Sequence, residues 1–499
     1  MKYPWNPIAI LLIAGMSLMA CSDETEGQGE AEQCEPQQVW NPVQGICVDQ
    51  GATPPGGEDG ADVGSAAEDG GLDSFPGEQP VCGTGEERTS ITGVVQIPSG
   101  EVPLPEVAVY VPRGVPTTGG TGAQCRPCEE EQISDYVVKT RTNTVGEFRL
   151  EDVPVGQDIP LVIEVGKWRR EVKIDEVLPC QENPLGEELT RLPRSRAEGE
   201  LPRIAVTTGG WDALECLIRK IGVEESEFTT HEGDGWVHLY AGQGGTDRFG
   251  DGLNDGAALR HARDFWSDLD QLMDYDLVAF SCEGNLNMGD KPAQARQALL
   301  DYSEAGGRVF LSHFHYGWLR DGPEDFRSVA TWADFGAPTG DTETGTIDTT
   351  FHKGMMLRDW MYLTGTEPSG QFEIAEARGS IVEINEEVAQ RWIWLDEPQG
   401  IEVPDGYEDL LPGIPGVDQP PEELVQYFSF NTPVGAPEGQ QCGRVVFSDI
   451  HVSAEESSSP EHPFPAGCSD RPLTDQEKAL VFLLFDLSRC VVPDKKSAL

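Results

Sequence analysis

The sequence predicts a multidomain chain: a β-sandwich, then an α/β doubly wound parallel sheet, both carried behind a disordered acidic tether. Three observations carry this. Short runs of alternating apolar residues, parted by Pro and Gly, fill the region from Thr89 to about Leu192; regular short strands with turn signals read as a sandwich. From Arg203 onward, strand-like and helix-like runs alternate, as βαβ units do. Before Glu87 the chain is rich in Gly, Glu, Asp, Pro and Gln. Such a segment cannot bury enough apolar surface to offset its ordering entropy. The division is 1–20, a leader; 21–87, the tether; 88–192, the sandwich; 193–202, a linker; and 203–499, the α/β domain.

Charge narrows the partners. The 499 residues hold 35 Lys and Arg against 87 Asp and Glu, a net −52. A field of that sign repels phosphate backbones, so nucleic acid is excluded as a partner. No internal stretch reaches the ~18 apolar residues of a membrane span. At the N-terminus Lys2 gives a positive start, and Ile8–Leu18 is an apolar core too short to cross a bilayer. Leu18-Met-Ala-Cys21 then resembles the lipobox of bacterial lipoproteins. The resemblance implies cleavage before Cys21 and acylation of Cys21, so that the membrane is a partner through its lipid chains. Several chains together anchor stably, where one does not. Ser22 after the cysteine implies the outer membrane, facing the periplasm or the cell surface. That compartment is oxidising. Of 12 cysteines, 11 remain if Cys21 carries lipid, so at least one has no partner.

In the tether, Cys34 and Cys47 are placed to close one small loop. The sandwich strands are read at Ser90–Gln96, Val107–Val111, Tyr136–Thr142, Glu147–Leu150, Leu161–Val165 and Glu171–Ile174. Within them Gly146, Phe148, Leu150 and Val153-Pro-Val-Gly156 resemble the carboxypeptidase regulatory-like domain, a transthyretin-like sandwich. That resemblance implies an accessory, non-catalytic module. An insertion at 112–135 holds Cys125-Arg-Pro-Cys128. With no second Cys or His pair nearby, it reads as a structural disulfide, or as pairings to Cys82 and Cys180, ahead of a metal site.

The α/β domain opens with a strand at Ile204–Val206, a helix at Trp211–Ile221 and a strand at Val237–Tyr240. A helical stretch at Ala257–Met273 precedes the apolar strand Leu277–Phe280. The helix Pro292–Ala305 and the strand Val309–Leu311 follow. Pro292 is expected to open its helix at the first turn, and Gly306-Gly307 to end it. After Pro338 the pattern weakens into long loops, with order returning at Leu424–Phe430 and Val445–Phe447. Thr474-Asp-Gln-Glu477 is a capping box that starts the last helix, whose run Ala479–Phe485 is apolar nearly all round and so should be deeply packed. Asp247–Gly256 resembles a calcium loop only superficially, because its carboxylates miss the EF-hand spacing.

Cys282 stands just past the Leu277–Phe280 strand, at the sheet edge where open α/β folds keep their sites. Tyr275–Gly284, Tyr302-Ser-Glu-Ala-Gly-Gly, Arg308–His313 and Gly443–His451 resemble the class I glutamine amidotransferase-like superfamily, a flavodoxin-like fold, and within it ThuA-like members. Active members use a Cys–His–Glu triad with the cysteine in a G-x-C-x-G elbow. Gly284 matches the second glycine, Phe280 replaces the first, and His451-Val-Ser453 has Ser where the family has Glu. The resemblance therefore implies the fold and leaves the activity open.

Three functions follow from these residues. In the first, the triad is lost and the chain is a non-catalytic envelope protein that binds a glycan, peptide or protein at the sheet edge, through Glu283, His313, His315, Tyr316 and Trp318. In the second, Cys282 is the nucleophile of an extracytoplasmic hydrolase or amidase. His451 would be its base, His313 the next candidate, and Asp449 the possible third member. Its counter-reading is a Cys282–Cys216 disulfide or a buried free thiol. In the third, His313 and His315 lie at i, i+2 on one strand face and share a divalent metal with Glu283. No other cofactor is implied. Cys442, Cys468 and Cys490 bracket the C-terminal loops and should include one disulfide.

Overall fold

A computed structural model describes residues 38–41, 46–49, 81–114, 120–125, 136–338, 342–396, 398, 401, 421–452 and 456–491. Residues 1–72 and 73–499 form two compact units. Of the first, Gln38–Asn41 and Ile46–Asp49 are described, as an antiparallel strand pair. Cys21, Cys34, Cys128 and Ser453, and with them the lipobox and most of the tether, lie outside the described residues. Among the described residues no helix is long and apolar enough to cross a membrane.

The second unit is β-rich and mixed. Two small sheets come first. One has three strands, with Ser90–Val94 between Glu147–Glu151 and Glu182–Pro184. The other has four, in the order Tyr136–Arg141, Ala108–Pro112, Gly156–Val165 and Trp168–Val177. Ile91, Phe148 and Leu150 from the first share a core with Val109, Leu161 and Ile163 from the second. In Glu147–Glu151 the buried residues are every second one, Phe148 and Leu150, as a half-buried strand requires.

Arg203 begins a larger sheet of 11 strands. Its first half is parallel, with strands in the order Phe228–Thr229, Val237–Ala241, Ile204–Thr207, Leu277–Phe280, Arg308–Ser312 and Gly443–Ser448. Residue parity explains why these strands read as unbroken apolar runs. Ile204, Val206, Leu277 and Ala279 enter one core; Ala205, Val278 and Phe280 enter the other. Both faces are covered, as parallel sheets demand. Leu214–Lys220 and Asp475–Leu487 contribute to the first core, while Ala262–Trp266, Leu269–Met273 and Ala293–Glu304 contribute to the second. The long helical stretch expected before residue 273 is therefore two short helices, and Pro292 sits at the cap position rather than inside the first turn.

The second half of this sheet departs from the expected wholly parallel form. Glu423–Thr432 pairs antiparallel with Gly443–Ser448, and Ala389–Asp396, Thr342–Ile347 and Gln371–Ala375 continue antiparallel to the edge. Residues 342–396, expected as loops, supply three of these strands. Thr342–Ile347 is polar and Gly-containing, so its alternation was faint.

The C-terminal helix forms the capping box: the Thr474 side chain accepts from the Glu477 backbone while Glu477 reaches back to Thr474. All of Ala479–Leu487 is buried. Truncating Leu480 should cost about 2–5 kcal/mol. The stretch read as a linker is packed: Leu192, Ser195 and Leu201 are buried. The two small sheets and the large sheet share one core and are further joined by Ser99 N donating to Ile221 O at 2.8 Å, Trp360 Nε1 donating to Pro103 O at 2.6 Å, and the Cys125–Cys442 disulfide. Cys82–Cys180 and Cys216–Cys468 are also bonded. Cys490 is disulfide-bonded as well. Among the described residues Cys282 is the free cysteine, so the Cys282–Cys216 pairing does not form.

Candidate functional site

In chain order the first two parallel strands to flank Ile204–Thr207 are Val237–Ala241 on one side and Leu277–Phe280 on the other. That reversal of direction is a topological switch point, where open α/β sheets leave a crevice at their carboxyl ends. Cys282 stands there. All four residues of Leu277–Phe280 are buried, and the strand stops where Gly284 takes a φ of +72°. Two close approaches shape the turn. The Trp211 N–H donates to Cys282 O at 3.0 Å, and a Cβ on Gly209 would lie 2.2 Å from that same oxygen. A Cβ on Gly284 would fall 2.0 Å from Trp211 Cδ1. Glycine is needed at both positions.

Two histidines complete the cluster. His313 follows the Arg308–Ser312 strand and adopts a φ of +36°, a strained conformation for a non-glycine residue. This turns Nδ1 to within 3.5 Å of Cys282 Sγ. His451 follows the next parallel strand, with its ring centroid 5.3 Å from that of His313. One donor atom from each of Cys282, His313 and His451 can be chosen so that all lie within 4.8 Å of one another. The three residues are 0 %, 3 % and 1 % exposed. His313 Nε2 and both nitrogens of His451 are buried without a hydrogen-bond partner among the described residues.

Burial sets their charge states. It pushes the Cys282 thiol up to about 12, with Asp212 and Asp449 adding to the rise against backbone hydrogen bonds from Phe314 and Gly284. It pushes His451 down to about 3 and His313 well below the ordinary range, with Arg378 adding to both. The three groups are therefore neutral around pH 7.

Asp212 holds the cluster together from behind. Its carboxylate accepts from Ser312 Oγ at 2.5 Å, from Val452 N at 2.9 Å and from its neighbour Ala213 N at 2.9 Å. It thereby ties the residue before His313 to the residue after His451. Asp449 accepts from Ser380 N and Oγ at 2.9 and 2.8 Å. Burial raises these two carboxyls to about 6 and about 7.

The other sequence-nominated residues fall elsewhere. His313-Phe-His315 forms a tight turn and not a strand end, so the i, i+2 face that would have paired its histidines does not exist. His315 bonds Ser281 O through Nε2 at 2.9 Å and accepts from Trp318 Nε1 through Nδ1 at 2.9 Å. Both its nitrogens are engaged in the core. Glu283 is paired with Lys291, and its other oxygen accepts from Gln243 N. It joins neither histidine. Tyr316 and Trp318, at 2 % and 0 % exposed, pack in the second core and line no surface. Asp449 contacts Ser380 rather than a histidine, so no Cys–His–Asp chain forms. Cys282's partner is His313, the second candidate base, and not His451.

Sequence reasoning missed Trp211, Arg378 and Asp212. Trp211 is 59 % exposed and packs on Gly284, with the Arg378 guanidinium 6.0 Å from its ring. The Gly209-Gly210-Trp211-Asp212 run after the first strand was the available signal, since switch-point loops after a first strand approach ligands closely.

No family model matches the chain, and no curated protein matches it. Solved structures do. A ThuA-like protein from Bacteroides uniformis is 12 % identical, at a TM-score of 0.28 over 57 % of this chain and 90 % of that one. A ThuA-like protein from Parabacteroides merdae is 10 % identical, at a TM-score of 0.29 over 58 % of this chain and 91 % of that one. The PurLQS structure from Thermotoga maritima is 10 % identical, at a TM-score of 0.25 over 57 % of this chain and 99 % of that one. A likeness at these scores carries no argument about the chemistry of Cys282.

Proposed function

We propose that the chain is a lipid-anchored envelope protein, held at the outer membrane through acylated Cys21, whose α/β domain is a non-hydrolytic binding module. On this reading a carboxypeptidase regulatory-like sandwich precedes an amidotransferase-like, ThuA-like domain that has lost its triad. One observation carries the non-hydrolytic part: Cys282 is fully buried, its thiol is held up to about 12, and neither nearby histidine has a carboxylate partner among the described residues. A nucleophilic cysteine needs a thiolate and an oriented base. The ligand-facing feature is the exposed Trp211 with Arg378 beside it. An aromatic face next to a guanidinium suits a ligand with a flat apolar face and an acidic group, such as an acidic glycan or peptide.

The test is alkylation of the native chain with a thiol reagent across pH 6–10, followed by peptide mapping. Cys282 should stay unmodified throughout the range until the protein is denatured. Modification of Cys282 below the ~8.5 of a free thiol, together with a hydrolytic activity abolished by Cys282→Ser, would overturn the reading in favour of a cysteine hydrolase.

A further inference from the structure

We infer that Cys282, His313 and His451 form a three-ligand binding site for a zinc-class divalent metal ion. The inference builds on the non-nucleophilic reading of Cys282 and gives that thiol a different use. The donor set is a thiolate precursor and two imidazoles, the ligand types that Zn2+ takes. The spacing fits. With Zn–S about 2.3 Å and Zn–N about 2.0 Å, tetrahedral coordination separates sulfur and nitrogen donors by about 3.5 Å. Cys282 Sγ and His313 Nδ1 are 3.5 Å apart. The His451 donor lies within 4.8 Å of the other two.

The independent observation is the unmet polar capacity of the pocket. Buried side-chain nitrogens are nearly always hydrogen-bonded, because an unpaired one costs ~1–3 kcal/mol. Here three imidazole nitrogens within one cluster lack partners among the described residues, all on residues at least nine-tenths buried. A coordinated ion takes one nitrogen from each ring, so with His313 bound through Nδ1 it supplies the missing partner of one His451 nitrogen. Metal binding would release the Cys282 proton to solvent and leave a thiolate bound to the ion. Through Ser312 and Val452, Asp212 fixes the backbone that presents both histidines, the supporting role that groups outside a metal's ligands usually take. With three protein ligands, a tetrahedral ion would keep a fourth position for water or another ligand.

A second cluster with metal-like composition serves as a contrast. Cys216, Cys468 and Glu456 are equally close together, but their two sulfurs are joined in a disulfide and no thiolate is available there.

The experiment uses the purified full chain, first stripped with a chelator and then dialysed against Zn2+, with bound metal counted by mass spectrometry. Co2+ added to a parallel sample reports thiolate coordination by its sulfur-to-metal charge-transfer absorption. A single dialysis-resistant Zn2+ per chain is expected, together with the Co2+ band. Both should be lost in Cys282→Ala and in His451→Gln, with each variant's near-ultraviolet circular dichroism kept. If either variant fails to fold, the Co2+ band on the unmodified chain decides: its presence at one equivalent supports the site and its absence overturns it. Zinc held equally well by folded variants would also overturn it. Metal-free protein with an inert Cys282 would remove the metal site and leave the binding-module reading standing, whereas a Cys282 reactive at neutral pH would remove that reading itself.

Discussion

Cys282 and Glu283 are consecutive residues, yet their side chains enter opposite kinds of surroundings. Glu283 is fully provided for. It pairs with Lys291 and accepts from Gln243 N at 2.9 Å and Asn287 Nδ2 at 3.3 Å. Lys291 in turn donates to Leu286 O at 3.0 Å and lies 5.2 Å over the Trp266 ring. On the Cys282 side, a thiol and two imidazoles meet with three ring nitrogens unpaired among the described residues. Burial is alike on the two sides; satisfaction is not. A satisfied buried network rigidifies a fold, and a buried group without a partner carries a cost that a satisfied one does not. The turn at Gly284 thus separates a satisfied side from an unsatisfied side.

The largest effect should come from breaking the satisfied side. Lys291→Met leaves Glu283 as an unpaired buried carboxylate and should cost about 3–5 kcal/mol in urea unfolding. Adding Glu283→Gln should recover most of it, because the charge left behind is the source of the penalty. Equal loss in the single and double variants would mean that packing, not pairing, is at stake. Next comes the turn itself. Gly284→Ala places a Cβ at positive φ and against Trp211, so it should cost roughly 2 kcal/mol and shift Trp211 fluorescence.

The two sides also respond to pH with opposite sign. Burial opposes ionisation of Glu283, but His315, Lys291 and the Gln243 backbone together hold its carboxyl below the usual range. Its stabilisation is present above the unfolded value and is lost as pH falls. Asp212 is raised to about 6 by burial. Its contribution is intact below the unfolded value near 3.8 and is lost as pH rises through about 6. Asp212→Asn keeps an oxygen for the Val452 and Ala213 backbone donors and an amide for Ser312. With chelator present it should gain roughly 1–2 kcal/mol over the parent at pH 8 and nothing at pH 4, measured by urea midpoints. A gain that persists at pH 4 would show that the charge of Asp212 is not its source.

Much of this was legible in the sequence, and what was not has physical reasons. The apolar run Leu277–Phe280 gave away a strand buried on both faces, and the capping box at Thr474 gave away the last helix, because both signals are local. The antiparallel strand Thr342–Ile347 was illegible, since its polar, Gly-containing run leans on its neighbours rather than on a strong pattern of its own, whereas the alternation in Gln371–Ala375 was present in the sequence and went unread. His313 and His315 misled because spacing assumes a conformation. The chain leaves the strand at Ser312, and one residue at φ +36° sends the two rings apart. That Cys282 lacks a disulfide partner depended on Cys216 finding Cys468 across 252 residues, a pairing no local motif announces.

The smallest effect on stability, and the one that bears most on access to the Cys282 cluster, belongs to Trp211. Its indole is 59 % exposed, so truncation removes little buried area, and Trp211→Ala should shift unfolding by less than about 1 kcal/mol. Its position matters more. Trp211 packs against Gly284 and bonds the Cys282 carbonyl through its backbone, which makes its side chain the exposed cover of the turn that carries the thiol. The backbone bond survives the substitution while the cover does not. Cys282 of metal-free Trp211→Ala should therefore become measurably alkylated at pH 9, where the parent stays unmodified, at the same stability. An unchanged rate would mean that the route to the cluster opens elsewhere along the sheet edge. A faster rate that added Zn2+ suppresses would tie cover, thiol and metal to one site.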